Sequence, residues 1–277
     1  MSRWSRKSLR VALSPGQVAL LLVRHRFTLR GRRHAICARH ILACDAAPGM
    51  APWRGALQAL AGALPGLAER GVAATVVLSN HFVRYALVPW SENLADADEE
   101  LAFARHAFRA VHGQAAGQWE LRLGDEAGRA PRLASAIDAE LLAGLRGTFD
   151  AVGITLESIQ PHLMAACNAF AARLPGRGAW LALIEPGRLC LGLVDQGGWQ
   201  RIRSLRIGSE WRAQLPAILE RESLVADGTA DIRDVFVWSG GAEDVALPDG
   251  VRWKPHVLSP ATPGGGDAGA SGVALAG

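Results

Sequence analysis

Ala179–Ile207, AWLALIEPGRLCLGLVDQGGWQRIRSLRI, is the stretch that decides the fold. Its apolar runs Trp180–Ile184 and Leu189–Val194 flank Pro186-Gly187, and a third run, Trp199–Ile207, follows Gly197-Gly198. Gly and Pro interrupt regular structure at two points, so the spacing predicts three consecutive strands in an antiparallel meander. Before it, Leu163, Ala166, Cys167, Phe170 and Leu174 recur at helical spacing, and after it Trp211, Leu215, Ile218 and Leu219 do the same. Pro216 is awkward inside that second helix, which could instead begin there, because an interior proline costs about 3 kcal/mol. A buried strand, Asp234–Trp238, closes the series at Ser239-Gly240-Gly241.

The first half traces a similar order. Leu9–Leu13, Gln17–Arg24 and His34–Ala43 read as strands separated by Ser14-Pro15-Gly16 and Gly31-Arg32-Arg33. Trp53, Leu57, Leu60, Leu64 and Leu67 then give a helix that weakens at Pro65 and stops by Gly71. Val72–Leu78 is a continuous apolar run, as in a strand buried on both faces, and Phe82–Val88 continues as a strand. Asp96 with Glu99 suggests an N-cap, and Leu101, Ala104, Phe108 and Val111 form one apolar stripe on a helix ending near Gly113. Trp119–Leu123 and Arg132–Ile137 alternate as a half-exposed hairpin does. A helix through Leu141, Leu145 and Phe149 stops at Gly153; Ile154–Ile159 is a short strand, and Pro161 opens the next helix. These readings divide the chain into a basic segment 1–8, a first half 9–158 with an inserted subdomain at about 80–137, a second half 159–258, and a disordered Gly/Ala-rich tail 259–277.

With 277 residues, 49% of them apolar, the chain is long enough to bury a sizeable core. Apolar runs such as Val18–Val23 fall far short of the roughly 20 residues that cross a bilayer, and no signal-peptide pattern opens the sequence, so the cytoplasm is the expected compartment. Cys37, Cys44, Cys167 and Cys190 lie far apart in apolar surroundings and read as small buried hydrophobes. The first 44 residues hold ten basic side chains and no acid. Such a bias either forms the solvent face of the first strands or docks on an anionic membrane face or nucleic acid.

No GxxxxGK[ST], GxGxxG, HExxH or GxSxG motif is present, which removes the usual hydrolase and dinucleotide signatures. Ser79-Asn80-His81 reads as a turn rather than a nucleophile and its base, because neighbours along a strand face opposite ways. His106 and His112 are six residues apart, not the spacing that puts two metal ligands on one helix face. The tryptophans fall at strand and helix ends and read as core or partner contacts rather than a stacking platform for bases.

Three motifs carry a family resemblance. AVGITLESIQPHLMAACNAF resembles the crossover between the halves of the actin-like PilM, MshI and type II secretion protein L family of pilus and secretion machines. GAWLALIEPGRLCLGLVDQGGWQRIRSLRI resembles that family's second phosphate-turn hairpin, and VFVWSGGAED its adenosine-side Gly-Gly turn. The resemblance implies an α/β fold, a duplicated ribonuclease-H-like (actin-like ATPase) architecture with two halves around a central cleft. It commits to no cofactor, leaving ATP with magnesium as a candidate and nucleotide binding open, and it offers Ser14, Gly16, Glu185, Gly187, Ser239, Gly240 and Gly241 as the candidate nucleotide-binding positions. ATP-binding members carry an acidic residue in the first turn, whereas Ser14-Pro15-Gly16 has none and Glu185 alone stands at the second, so the expected site is degenerate and no hydrolysis is expected. The implied role is a non-enzymatic assembly component, cytoplasmic and peripheral to the inner membrane. Its partner would be the N-terminal cytoplasmic peptide of a single-span, PilN-like protein, lying in a groove of the first half near Arg24, Arg26, Arg30, Arg32 and Arg33. The alternatives are a working actin-like ATPase and an arginine-rich nucleic-acid-binding protein, nucleic acid not being the expected partner.

Overall fold

The computed structural model describes residues 5–28, 31–45, 49–67, 71–92, 94, 96–125, 129–173, 178–226, 231–240 and 245–258. The expected tail lies outside them. Strands β1 (Ser5–Ser14), β2 (Gln17–Thr28) and β3 (Gly31–Ala43) form the first antiparallel meander. They outrun their apolar centres because the basic ends also pair, Ser5 opposite Arg26 and Arg26 opposite Arg33, so β1 begins inside the basic stretch 1–8. Helix α1 (Arg54–Ala63) tightens into a 3₁₀ turn at Leu64–Leu67, where Pro65 cannot donate to a helical ladder.

Strand β4 (Ala73–Leu78) pairs in parallel with β1 and with β8 (Thr155–Pro161), giving the order β3-β2-β1-β4-β8. Between β4 and β8 the chain makes β5 (Val83–Val88), helix α2 (Ala97–His112), the hairpin β6 (Trp119–Leu123) and β7 (Arg132–Asp138), and helix α3 (Ala139–Ala151). Sheet β5-β7-β6 is antiparallel and buries Val88, Leu121, Ala134 and Ala136 against Ala104 and Phe108 of α2. The Asp96 carboxylate caps α2 as expected, accepting from the Asp98 and Glu99 amides at 2.9 Å. Val111 does not continue the buried stripe. It is 77% exposed, and His112, one residue on, instead turns its ring to Phe108 and to Trp119 of β6.

Helix α4 (His162–Phe170) leads to the second meander, β9 (Ala179–Glu185), β10 (Arg188–Asp195) and β11 (Gly198–Arg206). The β10–β11 turn sits one residue earlier than the sequence suggests. Gln196 (φ 51°) and Gly197 (φ 77°) form its two central positions, the pair of positive φ values that a type I′ hairpin turn requires, and Gly198 already belongs to β11. Helix α5 (Trp211–Val225) starts before Pro216 and tolerates it, since Pro216 is buried among residues that pack on the sheet and burial offsets the missing bond. Strands β12 (Asp234–Trp238) and β13 (Lys254–Val257) add in parallel beside β9, so the second sheet reads β11-β10-β9-β12-β13.

The two five-stranded sheets therefore share one strand order, a meander followed by two parallel strands, as a duplicated ribonuclease-H-like chain should. The chain divides into two compact units. One takes in residues up to Phe82 and Ala139–Ala169, the other Val83–Asp138 and Phe170–Leu258, so the insertion groups by contacts with the second sheet. In the first unit Leu9, Val11 and Leu13 of β1 and Val18, Leu20 and Leu22 of β2 are buried, with α1 against both strands and against α3. In the second, one face of the sheet supplies Trp180, Ala182, Leu189, Leu191, Val235 and Val237 to a core closed by Trp211, Leu215 and Leu219 of α5. Cys44 and Cys190 are buried as expected and Cys167 is half-buried, with burial pushing its thiol up to about 12. Cys37 departs from the expectation and is exposed, because β3 is an edge strand with both faces open.

Candidate functional site

The turns singled out by the sequence lie at the carboxyl edges of the two sheets. In the second unit Glu185 ends β9, and Pro186 with Gly187 (φ 78°) forms the tight connection to β10, Pro fixing the first central position and Gly supplying the positive φ of the next. The parallel ladder puts Trp238 beside Leu183, so Ser239 and Gly240 emerge from β12 at the same edge as Glu185. Glu185, Gly187, Ser239 and Gly240 are thus brought together; Gly241 lies outside the described residues. Glu185 is buried, and the Ser239 hydroxyl oxygen is buried and makes no hydrogen bond among the described residues.

The first unit presents an equivalent edge. Ser14 and Gly16 sit in the β1–β2 turn, and Ser79, the residue after β4, donates its amide to Leu13 O at 2.9 Å. Ser79-Asn80 thereby occupies in this sheet the place of Ser239-Gly240 in the other, and the turn read there is confirmed: Ser79 Oγ accepts from the His81 amide at 3.1 Å. The β1–β2 turn is closed on itself, with Ser14 Oγ donating to Gln17 O at 3.0 Å and the Cys44 amide donating to Gly16 O at 3.0 Å.

Two arginines at the second edge escaped the sequence reading. Arg188 opens β10 opposite Glu185 and Arg206, donates from Nη1 to Ser204 Oγ at 3.0 Å, and has its Nε buried without a hydrogen bond among the described residues. Arg84 on β5, a strand that packs against β11, lies near enough that burial first and the Arg188 charge second pull its guanidinium below the ordinary value. The same burial-first logic, with Arg84 as the neighbouring charge, lowers the His112 imidazole. Position next to a Gly turn marked Arg188, but nothing local could bring Arg84, over a hundred residues earlier, to it.

As a magnesium-nucleotide site this donor set does not fit. Phosphoryl transfer needs acids that hold the metal and a group that positions the attacking water. Among the described residues Glu185 stands at the second edge and Asp45, next to the Cys44 that closes on Gly16, stands beside the first, and no three His, Cys, Asp or Glu side chains gather into a metal-binding group.

The basic residues lie elsewhere. Arg24 is half-buried on β2 opposite Ala35, and the ladder sets Arg26 opposite Arg33 and Phe27 opposite Arg32, so four of the five expected arginines share the far end of the β2–β3 hairpin. Arg30 lies outside the described residues.

No family model matches the sequence, and no curated protein matches it. Solved structures do match. A chain of the PilM-PilN type IV pilus biogenesis complex superposes with a TM-score of 0.64 at 16% identity, over 97% of each chain. The cytoplasmic domain of EpsL, an inner membrane component of the type II secretion system of Vibrio cholerae, gives 0.56 at 10% identity, over 92% of this chain and 90% of that one. A Bacteroides thetaiotaomicron protein of unknown function with an actin-like ATPase fold gives 0.57 at 9% identity, over 86% and 84%. With two sheets of one strand order and these likenesses over most of its length, the chain has the actin-like fold, and its structural neighbours include proteins of pilus and secretion machines.

Proposed function

We propose that this chain is a non-enzymatic assembly component of a type IV pilus or type II secretion-like machine, working at the cytoplasmic face of the inner membrane. Its partner is the N-terminal cytoplasmic peptide of a single-span, PilN-like membrane protein. The observation that carries the reading is the likeness over 97% of both chains to a component of the PilM-PilN complex, supported by the likeness to the EpsL cytoplasmic domain. The arginines at the β2–β3 hairpin, Arg24, Arg26, Arg32 and Arg33 with Arg30 between them in sequence, supply the charge that an acidic peptide or anionic headgroups recognise. Among the described residues no helix is long and apolar enough to cross a membrane. In this reading Ser14 and Gly16 of one unit, and Glu185, Gly187, Ser239 and Gly240 of the other with Gly241 next in sequence, are degenerate nucleotide-binding positions without the acids for hydrolysis.

The test is co-sedimentation of the full chain with vesicles that carry a PilN-like single-span protein, against vesicles that lack it. Retention by the first alone is expected, as is its loss when Arg24, Arg26, Arg30, Arg32 and Arg33 are changed to Glu. Wild-type protein that stays in the supernatant with both overturns the reading. A second reading, a working actin-like ATPase, is favoured by the Gly187 and Gly240 turns at positive φ beside the buried Ser239 hydroxyl, a backbone arrangement suited to phosphate. It requires magnesium-dependent ATP turnover that Glu185→Ala abolishes. Thermal stabilisation by ATP without turnover fits the first reading, since a ligand at about 100 times its Kd adds about 2.7 kcal/mol whatever its chemistry.

A further inference from the structure

The longest strand among the described residues lies at a sheet edge. β3 runs from Gly31 to Ala43 and ends the order β3-β2-β1-β4-β8, so alternate backbone N–H and C=O groups along it point away from β2. Ala35, Ile36, Cys37, Arg39, His40, Ile41 and Ala43 are all exposed, which opens both faces as well as the edge.

The two faces differ. Through the irregularity at Leu22/Val23, Ile36, Arg39 and Ile41 stand opposite Val23, Leu21 and Ala19, while His40 and Ala38 stand opposite Leu20 and Leu22. The first row is therefore apolar, basic, apolar, with Ile36 at 37% and Ile41 at 44% exposure beside the buried pair Leu21 and Val23.

Proteins normally protect such an edge with charge. The charge here has one sign: β3 holds Arg32, Arg33, His34, Arg39 and His40 and no acid, and β2 adds Arg24, His25 and Arg26. A second copy pairing through β3 would bring together two strands of like charge, which is unfavourable, whereas an acidic strand would bring opposite charges together. Sign alone separates the two occupants.

Resting on the partner reading above, we propose that β3 is a docking strand: an extended acidic segment of the membrane partner adds to it as a sixth strand of the sheet. Its backbone completes the open ladder, a carboxylate meets Arg39, and apolar residues two positions either side cover Ile41 and, with the added strand passing over the bulged Cys37 as β2 does, Ile36. The segment it selects reads apolar, any, acid, any, apolar. Affinity comes from main-chain hydrogen bonds and selectivity from alternate side chains.

The probe is a fluorescent peptide, Ser-Val-Ser-Glu-Ser-Val-Ser, titrated with the full chain at low ionic strength and followed by anisotropy, with hydrogen exchange of the β3 amides measured alongside. Saturable binding and slowed exchange along β3 are expected. N-methylation at alternate residues should abolish binding in one of the two frames and spare the other. Arg39→Glu, a change at an exposed site, should weaken the glutamate peptide about tenfold and favour its lysine counterpart. Equal binding in both N-methyl frames, equal binding of the lysine peptide, no saturation at millimolar peptide, or a dimer that forms through β3 each overturns the proposal. Retention on partner-bearing vesicles with β3 amides unprotected would sink strand addition and leave the partner reading standing. Strand addition without vesicle retention would do the reverse.

Discussion

Glu222 is a position where removing one side-chain carboxylate should be costly. It lies on α5, 4% exposed, and its Oε2 accepts from Arg201 Nε at 2.6 Å and Arg203 Nε at 3.2 Å. The two arginines are not equivalent. Arg203 is 51% exposed and solvent can replace its partner, so it contributes at most about 1 kcal/mol. Arg201 is 16% exposed, and its Nη2 is already buried without a hydrogen bond among the described residues. Glu222→Ala therefore strands a buried guanidinium between α5 and β11, a loss of about 3–5 kcal/mol. Against a typical total of about 5–15 kcal/mol that is a large share, and the melting temperature should fall on the order of 10 °C. Removing both charges together, as Arg201→Met with Glu222→Leu, should restore most of it, because the hydrophobic pair needs no desolvation. The pH dependence has a definite sign. Burial alone would raise the Glu222 carboxyl, but hydrogen bonds and charge from Arg201 and Arg203 outweigh it and hold the group below the ordinary range. A depressed carboxylate stabilises fully above its unfolded value of about 4.3 and loses that contribution as pH falls through the folded value. Glu222→Gln should flatten this acid limb of the stability curve. Chemical unfolding in which Glu222→Ala costs under about 1 kcal/mol, or in which the double variant is no better than the single one, refutes the reasoning.

Three further outcomes are expected. Gly192→Ala places a Cβ 2.5 Å from the Trp199 ring, between rigid partners on the buried side of the hairpin, and should cost about 1–3 kcal/mol by denaturant unfolding. Phe108→Ala, at 2% exposure, should cost about 3–5 kcal/mol, while Val111→Glu, three residues along the same helix, should be neutral; equal effects would mean α2 is rotated from its described position. Truncation after Leu258 should leave the melting temperature unchanged, since 259–277 contain little to bury, and a drop of several degrees would show that the segment packs.

Much of this architecture was legible because its elements announce themselves locally. The run Val72–Leu78 reads as a doubly buried strand, and β4 lies in parallel between β1 and β8, with Ala74, Val76 and Leu78 buried on one face and Thr75 and Val77 half-buried on the other. Asp96 reads as a cap and caps. What the sequence misplaced depended on surroundings that periodicity does not encode. Val111 fits the helical stripe, but His112 beside it takes the contact with Phe108 and Trp119; Cys37 fits an apolar run, but its strand has no outer neighbour. Gln196 takes a positive φ that residue type alone assigns to glycine, with Asp195 Oδ1 accepting its amide at 3.0 Å. The pairing of Arg84 with Arg188 needed the insertion to fold against β11, a contact of the kind no spacing rule reaches.

The geometry of β2 separates the turn at Ser14–Gly16 from the basic hairpin. Gln17, beside the Ser14–Gly16 turn, and Arg26, in the basic hairpin, lie nine residues apart on one continuous strand, which at about 3.4 Å per residue is roughly 30 Å. Screening at physiological salt acts within about 8 Å, so charge at one end is not felt at the other. The absence of a carboxylate from the first turn thus carries no cost at the hairpin, and a basic edge imposes no demand on the turn. The two ends are also supported separately, because β3 is held by its ladder to β2 and the turn by its own hydrogen bonds, Ser14 to Gln17 and Cys44 to Gly16, so a change at one end leaves the support of the other in place.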